Sequence, residues 1–156
     1  VAEKVDALKG NPKDALGLKK LPLNLWPNTA TALGCISMSN GALKYGRSNF
    51  RAIGARASVY YSAARRHMDA WFEGEEFDPD DGIPHLGAAL ACLAIIVDSD
   101  VQGTLVDDRN YGDPEKFRNY VDTMTEHVSR LQELHKHRDP KHYSIADNEL
   151  IKEEKE

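Results

Sequence analysis

Three short stretches of this chain concentrate side chains that can do chemistry. The first is Arg65-Arg66-His67-x-Asp69-x-x-x-Glu73. At helical spacing Arg66, Asp69 and Glu73 share one face, and His67 and Trp71 share the neighbouring one. Such a face offers a cation for phosphate and carboxylates for a metal. It is otherwise a solvated face of i, i+4 pairs, each worth only a few tenths of a kcal/mol. The second stretch is an acidic turn in which Glu73, Glu75, Glu76, Asp78, Asp80 and Asp81 put six carboxylates in nine positions, with His85 just beyond. Like charge crowded at a turn is offset by a cation or screened by water, and hard cations such as Mg²⁺ favour carboxylate oxygens. The third is Lys44-Tyr45-Gly46-Arg47-Ser48-Asn49-Phe50-Arg51, with three cations, an amide and two aromatic rings. A loop of that kind holds phosphate oxygens while a ring stacks on a base, or it simply balances the acidic turn. Neither glycine-rich nucleotide loop, GxxxxGK[ST] or GxGxxG, occurs.

These stretches need helices to position them. Residues 1–28 carry Gly10, Pro12, Gly17, Pro22 and Pro27, so no long helix is expected there. They form a proline-rich arm whose Leu21, Leu23, Leu25 and Trp26 are available to pack on a core. A first helix, capped by Thr29 or Thr31, runs to about Tyr45, with Ser39-Asn40-Gly41 weakening its middle. A second runs from about Ala52 to Phe72, with Val59, Tyr60, Ala63, Ala64, His67 and Trp71 at helical spacing. A third starts at Pro84 and runs to about Val97, apolar on every face and therefore buried all round. A fourth follows the cap residue Asp113, from Pro114 to about Lys136, with Phe117, Val121, Met124, Val128, Leu131 and Leu134 in a stripe. That stripe either packs on the bundle or joins copies of the chain, as a dimer or tetramer. Residues 137–156 read as a charged tail. No repeat and no strand are expected. The fold class is all-α, a compact four-helix-type bundle with an irregular N-terminal arm, the helical domain spanning 29–136. In an antiparallel hairpin of the second and third helices Glu73 lies near His85, and Asp98 lies at the far end.

The chain has 156 residues, enough for one domain with a core of its own. Its net charge of −5 argues against a nucleic-acid or membrane-surface binder, since both need a basic field. Cys35 and Cys92 sit in apolar runs and read as small core residues in a reducing compartment. The polar start, with Glu3, Lys4, Asp6 and Lys9, does not resemble a signal peptide, and the apolar run from Ile83 to Val97 is short for a bilayer span. A cytoplasmic protein is expected.

Several of these residues carry a resemblance. Asn11-Pro12-Lys13-Asp14, Leu21-Pro22-Leu23-x-Leu25-x-Pro27, Gly41-Ala42-Leu43-Lys44-Tyr45-Gly46-x-x-Asn49-Phe50-Arg51, Arg66-His67, Gly74-Glu75 and Asp80-x-Gly82-x-x-His85-Leu86 resemble the phage dATP/dGTP diphosphohydrolase domain over about residues 11–98. The resemblance implies hydrolysis of purine deoxynucleoside triphosphates to monophosphate and pyrophosphate with Mg²⁺ or Mn²⁺, adjusting a phage nucleotide pool. That activity is similar to that of the all-α MazG-type pyrophosphohydrolases, which hold Mg²⁺ with E-x-x-E on one helix and E-x-x-D on the next. Here Glu73-x-x-Glu76 fits the first half, but Gly74 falls inside it, and Ile95 stands three residues before Asp98. Where family members often carry a second histidine soon after position 85, this chain reads Gly87-Ala88-Ala89.

On this reading Lys44, Arg51 and Arg66 hold phosphates, and Asn49 and His67 also contact substrate. Tyr45 or Phe50 stacks on the base, and Glu73, Asp78 and Asp80 bind the metal. Glu73, Asp69 or His85 is the general base. Two other classes remain open: a nucleotide-sequestering protein without turnover, and a helical assembly protein on which these residues are only surface.

Overall fold

The computed structural model describes residues 10–148. The expectations for residues 3–9 and for the charged end from Lys152 fall outside them. The chain divides into two compact units, Val1–Val106 and Asp107–Glu156. This boundary lies inside the 29–136 stretch that the sequence groups as one domain.

The first unit contains α1 (Pro12–Gly17), a single 3₁₀ turn (Leu23–Leu25), α2 (Asn28–Tyr45), α3 (Asn49–Ile53), β1 (Ala55–Arg56), α4 (Ala57–Phe72), α5 (His85–Gln102) and β2 (Leu105–Val106). The protein is all-α. Its strands are two residues each, paired in parallel with Ala55 opposite Leu105 and Arg56 opposite Val106, a feature too short to leave a sequence pattern. Helix α5 is central and packs against both α2 and α4. The second unit contains α6 (Pro114–His135), capped by Asp113, whose side chain accepts from the backbone N–H groups of Glu115 and Lys116. The first unit is therefore built on three long helices, and the fourth belongs to the second unit.

The helix boundaries depart from expectation for local reasons. Neither Thr29 nor Thr31 caps α2; the Thr31 hydroxyl instead accepts from the Trp26 indole N–H at 2.9 Å. Helix α2 runs unbroken through Ser39-Asn40-Gly41. Asn40 donates its side-chain amide to Asp81 at 2.8 Å, so it does not compete for the helix's own backbone. The single helix expected over 52–72 is interrupted at Gly54. There Ala55 leaves the helix and donates its N–H to the carbonyl of Thr104 at 3.2 Å. Pro84 precedes α5 as its cap rather than opening it, and α5 continues past Val97 to Gln102. The continuation carries Asp98, whose charge Arg51 meets with two hydrogen bonds of 2.7 and 2.5 Å.

The core is made of small side chains: Ala55, Ala57, Ala64, Ala89 and Ala91 are the buried apolar residues. Gly87 shows why. A Cβ there would lie 2.8 Å from the Leu33 carbonyl oxygen and 2.9 Å from Ser37 Oγ, so only glycine permits this approach of α2 and α5. Contrary to expectation α5 is not buried all round, since Leu93, Val97 and Val101 are 47%, 64% and 78% exposed. Close packing of glycine and alanine uses one face of α5 and leaves the opposite, bulkier face uncovered. Leu21, Leu23, Leu25 and Trp26 of the arm are likewise exposed, and Cys35 is exposed while Cys92 is half-buried. By length and composition alone α5, at 18 residues, could cross a membrane. The shorter span expected from sequence stopped at Val97. Its position between α2 and α4 is that of a packed central helix.

Candidate functional site

The site begins where α4 ends. Gly74 donates its N–H to the Trp71 carbonyl and Glu75 to the Ala70 carbonyl, both at 3.0 Å. These are the paired bonds of a Schellman cap, which needs a left-handed residue, and Gly74 supplies it with φ 98°. The chain then doubles back in a tight hairpin. Phe77 pairs with Pro84. Asp78 N–H donates to the Ile83 carbonyl at 2.9 Å, Gly82 N–H to the Asp78 carbonyl at 2.8 Å, and His85 N–H to the Glu76 carbonyl at 3.0 Å. The acidic turn is thus a closed loop with its own hydrogen bonds, and it delivers His85 to the first position of α5.

Three side chains converge beneath that loop. His67 from α4, Asp78 from the hairpin and His85 from α5 have ligand atoms all within 4.8 Å of one another. The two Nδ1 atoms are 3.0 Å apart. His85 is only 3% exposed, and its Nε2 lies 2.7 Å from Glu75 Oε1. Burial pushes His67 below the usual imidazole range, and the neighbouring His85 adds to the shift. The backbone N–H of Asp80 donates to Asp78 Oδ1 at 2.9 Å, which steadies that carboxylate.

A second cluster pins the hairpin to α2. Asp81 Oδ2 accepts from Lys44 Nζ at 2.7 Å and from Asn40 Nδ2 at 2.8 Å. Its Oδ1 accepts from the Ile83 N–H at 3.1 Å. The Lys44 ammonium first, then the Ile83 N–H, hold the Asp81 carboxyl down to about 2, and the same bond to Asp81 raises Lys44.

Two adjoining cavities open on these clusters. One, of about 390 Å³, is lined by Lys44, His67, Asp78, Asp80 and Asp81 among others. The other, of about 590 Å³, is lined by Tyr45, Asn49, Phe50 and Tyr60 among others. Ser37, Gly41, Tyr45 and Ala91 line both. Ser37 Oγ is buried between them without a hydrogen-bond partner among the described residues.

The residues singled out from sequence separate in space. Lys44, Tyr45, Asn49, Phe50, His67, Asp78 and Asp80 line one cavity or the other, and His85 joins His67 and Asp78. Arg51 does not line either cavity, because its guanidinium is bound to Asp98. Asp69 is exposed on α4, 3.7 Å from Arg65. Arg66 is exposed and lines neither cavity. Glu73 is the exposed cap residue of α4. Glu73, Asp78 and Asp80 do not gather as a carboxylate set, and the one three-ligand group among the described residues is His67, Asp78 and His85. Sequence reasoning passed over Asn40, Tyr60, Glu75 and Asp81 as site residues. Asn40 and Lys44 stand four apart on one helix face, which is a signal for a shared partner.

An all-α chain that gathers two histidines and an aspartate beside a lysine-lined cavity is the class of protein that the fold and site define. The chain belongs to the family described as dATP/dGTP diphosphohydrolase, N-terminal, which it matches over residues 10–109. No curated protein and no solved structure matches it.

Proposed function

We propose that this protein hydrolyses purine deoxynucleoside triphosphates to the monophosphate and pyrophosphate. The oxygen of a water joins the α phosphorus, the bond from that phosphorus to the α–β bridging oxygen breaks, the bridging oxygen leaves on pyrophosphate, and the water's proton passes to solvent. The observation that carries this reading is the adjacency of two unlike cavities, joined through Ser37, Gly41, Tyr45 and Ala91. The one lined by Lys44 and by Asp78, Asp80 and Asp81 suits a triphosphate that arrives with a divalent cation to offset these carboxylates, and the one lined by Tyr45, Phe50 and Tyr60 suits a base that stacks on aromatic faces. The family's description supports the same substrate class.

Lys44 has three N–H donors, so it can meet a phosphate oxygen while keeping Asp81. Tyr45 lines both cavities and so bounds the passage between phosphates and base, and Asn49 lines the aromatic cavity. A divalent metal, when bound, would neutralise phosphate charge and activate water. Mg²⁺, one of the two ions the resemblance implies, fits poorly: it takes oxygen ligands and keeps several waters, whereas the assembled group offers two imidazoles. The reading also includes association of copies, through the 117–134 stripe of α6, whose Phe117, Val128, Leu131 and Leu134 are exposed, or through the uncovered face of α5.

The test is to incubate the chain with each common nucleoside triphosphate and Mg²⁺ or Mn²⁺, then separate the products. Monophosphate and pyrophosphate from dATP or dGTP are expected. Stoichiometric binding without turnover identifies a sequestering protein instead. Lys44→Met is expected to lower kcat/KM by about 10–100-fold, the scale of losing a charge-assisted hydrogen bond.

A further inference from the structure

We propose that His67, Asp78 and His85 form a binding site for a first-row transition-metal ion of the Mn²⁺, Fe²⁺, Co²⁺ or Zn²⁺ class rather than for Mg²⁺. The argument starts from Glu75. An ionised carboxylate only accepts hydrogen bonds, so the 2.7 Å contact with Glu75 Oε1 places the proton of neutral His85 on Nε2. The lone pair of His85 is then on Nδ1. That atom is buried and faces His67 Nδ1 at 3.0 Å. Two nitrogen ligands at about 2.1 Å from one ion stand about 3.0 Å apart at the right angle of a six-coordinate shell and about 3.4 Å apart at the tetrahedral angle, so the observed separation sits at the six-coordinate end of that range. The Asp78 carboxylate completes the face, with all three ligand atoms within 4.8 Å.

The outer contacts match the same use. Histidines that bind metals almost always donate their other ring N–H to a carboxylate or carbonyl, which fixes tautomer and ring orientation. Glu75 does this for His85. The Asp80 N–H does the corresponding work for Asp78. Each ligand is held by a different element: His67 by α4, Asp78 by the hairpin, His85 by the first turn of α5. Imidazole donors select borderline transition metals, and two histidines with one carboxylate on one face leave open positions for water or phosphate oxygens. His67 and Asp78 line the 390 Å³ cavity that Lys44 also lines, so those positions face the phosphate side.

The inference rests on the nucleotide reading only for the ion's use in hydrolysis, and binding is measured without nucleotide. The full chain is stripped with EDTA and titrated with Co²⁺, followed by the visible absorption of the ligated ion and by equilibrium dialysis. One Co²⁺ per chain is expected, not displaced by equimolar Mg²⁺. His67→Asn and Asp78→Asn are each expected to weaken binding at least tenfold, and Glu75→Gln about 10–100-fold by loosening His85. The buried His85→Asn is checked for folding by circular dichroism, and the other variants decide if it fails. Folded protein that takes up no Co²⁺ overturns the proposal, as does wild-type affinity in both His67→Asn and Asp78→Asn. The first result assigns the 3.0 Å contact to a plain imidazole–imidazole hydrogen bond. Co²⁺ binding without hydrolysis overturns the nucleotide reading and leaves the metal site. Hydrolysis by folded protein that takes up no Co²⁺ does the reverse.

Discussion

Single atoms decide two features of this protein. At Gly87 helix propensity favours alanine by about 1 kcal/mol. The added methyl would lie 2.8 Å from the Leu33 carbonyl oxygen, a backbone atom that cannot swing aside. Overpacking against such a neighbour costs about 1–3 kcal/mol, so Gly87→Ala is expected to lower the denaturation midpoint. An unchanged midpoint would mean that α2 and α5 slide apart freely. Asp81 sets a pH dependence. Its carboxyl is held at about 2 against an ordinary 3.8, first by Lys44 and then by the Ile83 N–H. A depressed folded-state value means stability that is present above the unfolded value and lost as pH falls. Solvent screening keeps this contribution small and local: between about pH 4 and pH 2 the hairpin is expected to loosen, read as faster amide exchange at Asp78 and Gly82, and Asp81→Asn should remove that pH dependence. A variant that titrates like wild type there would place the acid sensitivity on other carboxylates.

Elements, rather than residues, explain what could be read from the sequence. The four long helices were legible because their apolar positions recur and because Asp113 and the proline-rich arm mark boundaries. The break at Gly54 was not, since the 2-residue pairing of β1 with β2 depends on Thr104, about 50 residues away in sequence. At the site, the basic loop and acidic turn stood out by composition, and their candidates Lys44, Tyr45, Asn49, Phe50, Asp78 and Asp80 line the cavities. What composition could not supply was orientation. Arg51 looked like a phosphate ligand, yet α5 extends far enough to give it Asp98. Asp81 looked like one more solvated carboxylate, yet the hairpin turns it toward α2. The Asn40–Lys44–Asp81 contact lies at the surface, with Asn40 half-buried and the Lys44 and Asp81 side chains 45% and 26% exposed, and surface ion pairs add little to global stability. Its effect is local. Asn40→Ala is expected to speed amide exchange at Asp78 and Gly82 while leaving the global unfolding midpoint within experimental error. Unchanged exchange would show that the hairpin's own backbone bonds suffice.

For the molecule as a whole, the difficulty is how little bulky apolar surface is covered. Among the described residues the buried apolar side chains are all alanines. Meanwhile Leu93, Val97 and Val101 run four apart along α5 at 47%, 64% and 78% exposure. An uninterrupted apolar stripe on a helix that is also the packing centre is a candidate surface for the association proposed above. Each fully buried side chain of this size gains roughly 1.5–3 kcal/mol, and these three are already partly covered, so burying them from two copies is of the same order as the roughly 4–15 kcal/mol that association costs in lost translational and rotational freedom. A net charge of −5 opposes association only at long range and is screened at physiological salt. Sedimentation at micromolar concentration is therefore expected to give a mass above the 17.4 kDa of one chain. Val97→Asp with Val101→Asp should return it to that mass without loss of helix content. Wild-type chain that sediments at 17.4 kDa at every concentration would remove α5 as an interface. It would also leave the two joined cavities as the property of a single copy, with every ligand atom of the histidine–aspartate cluster drawn from one chain.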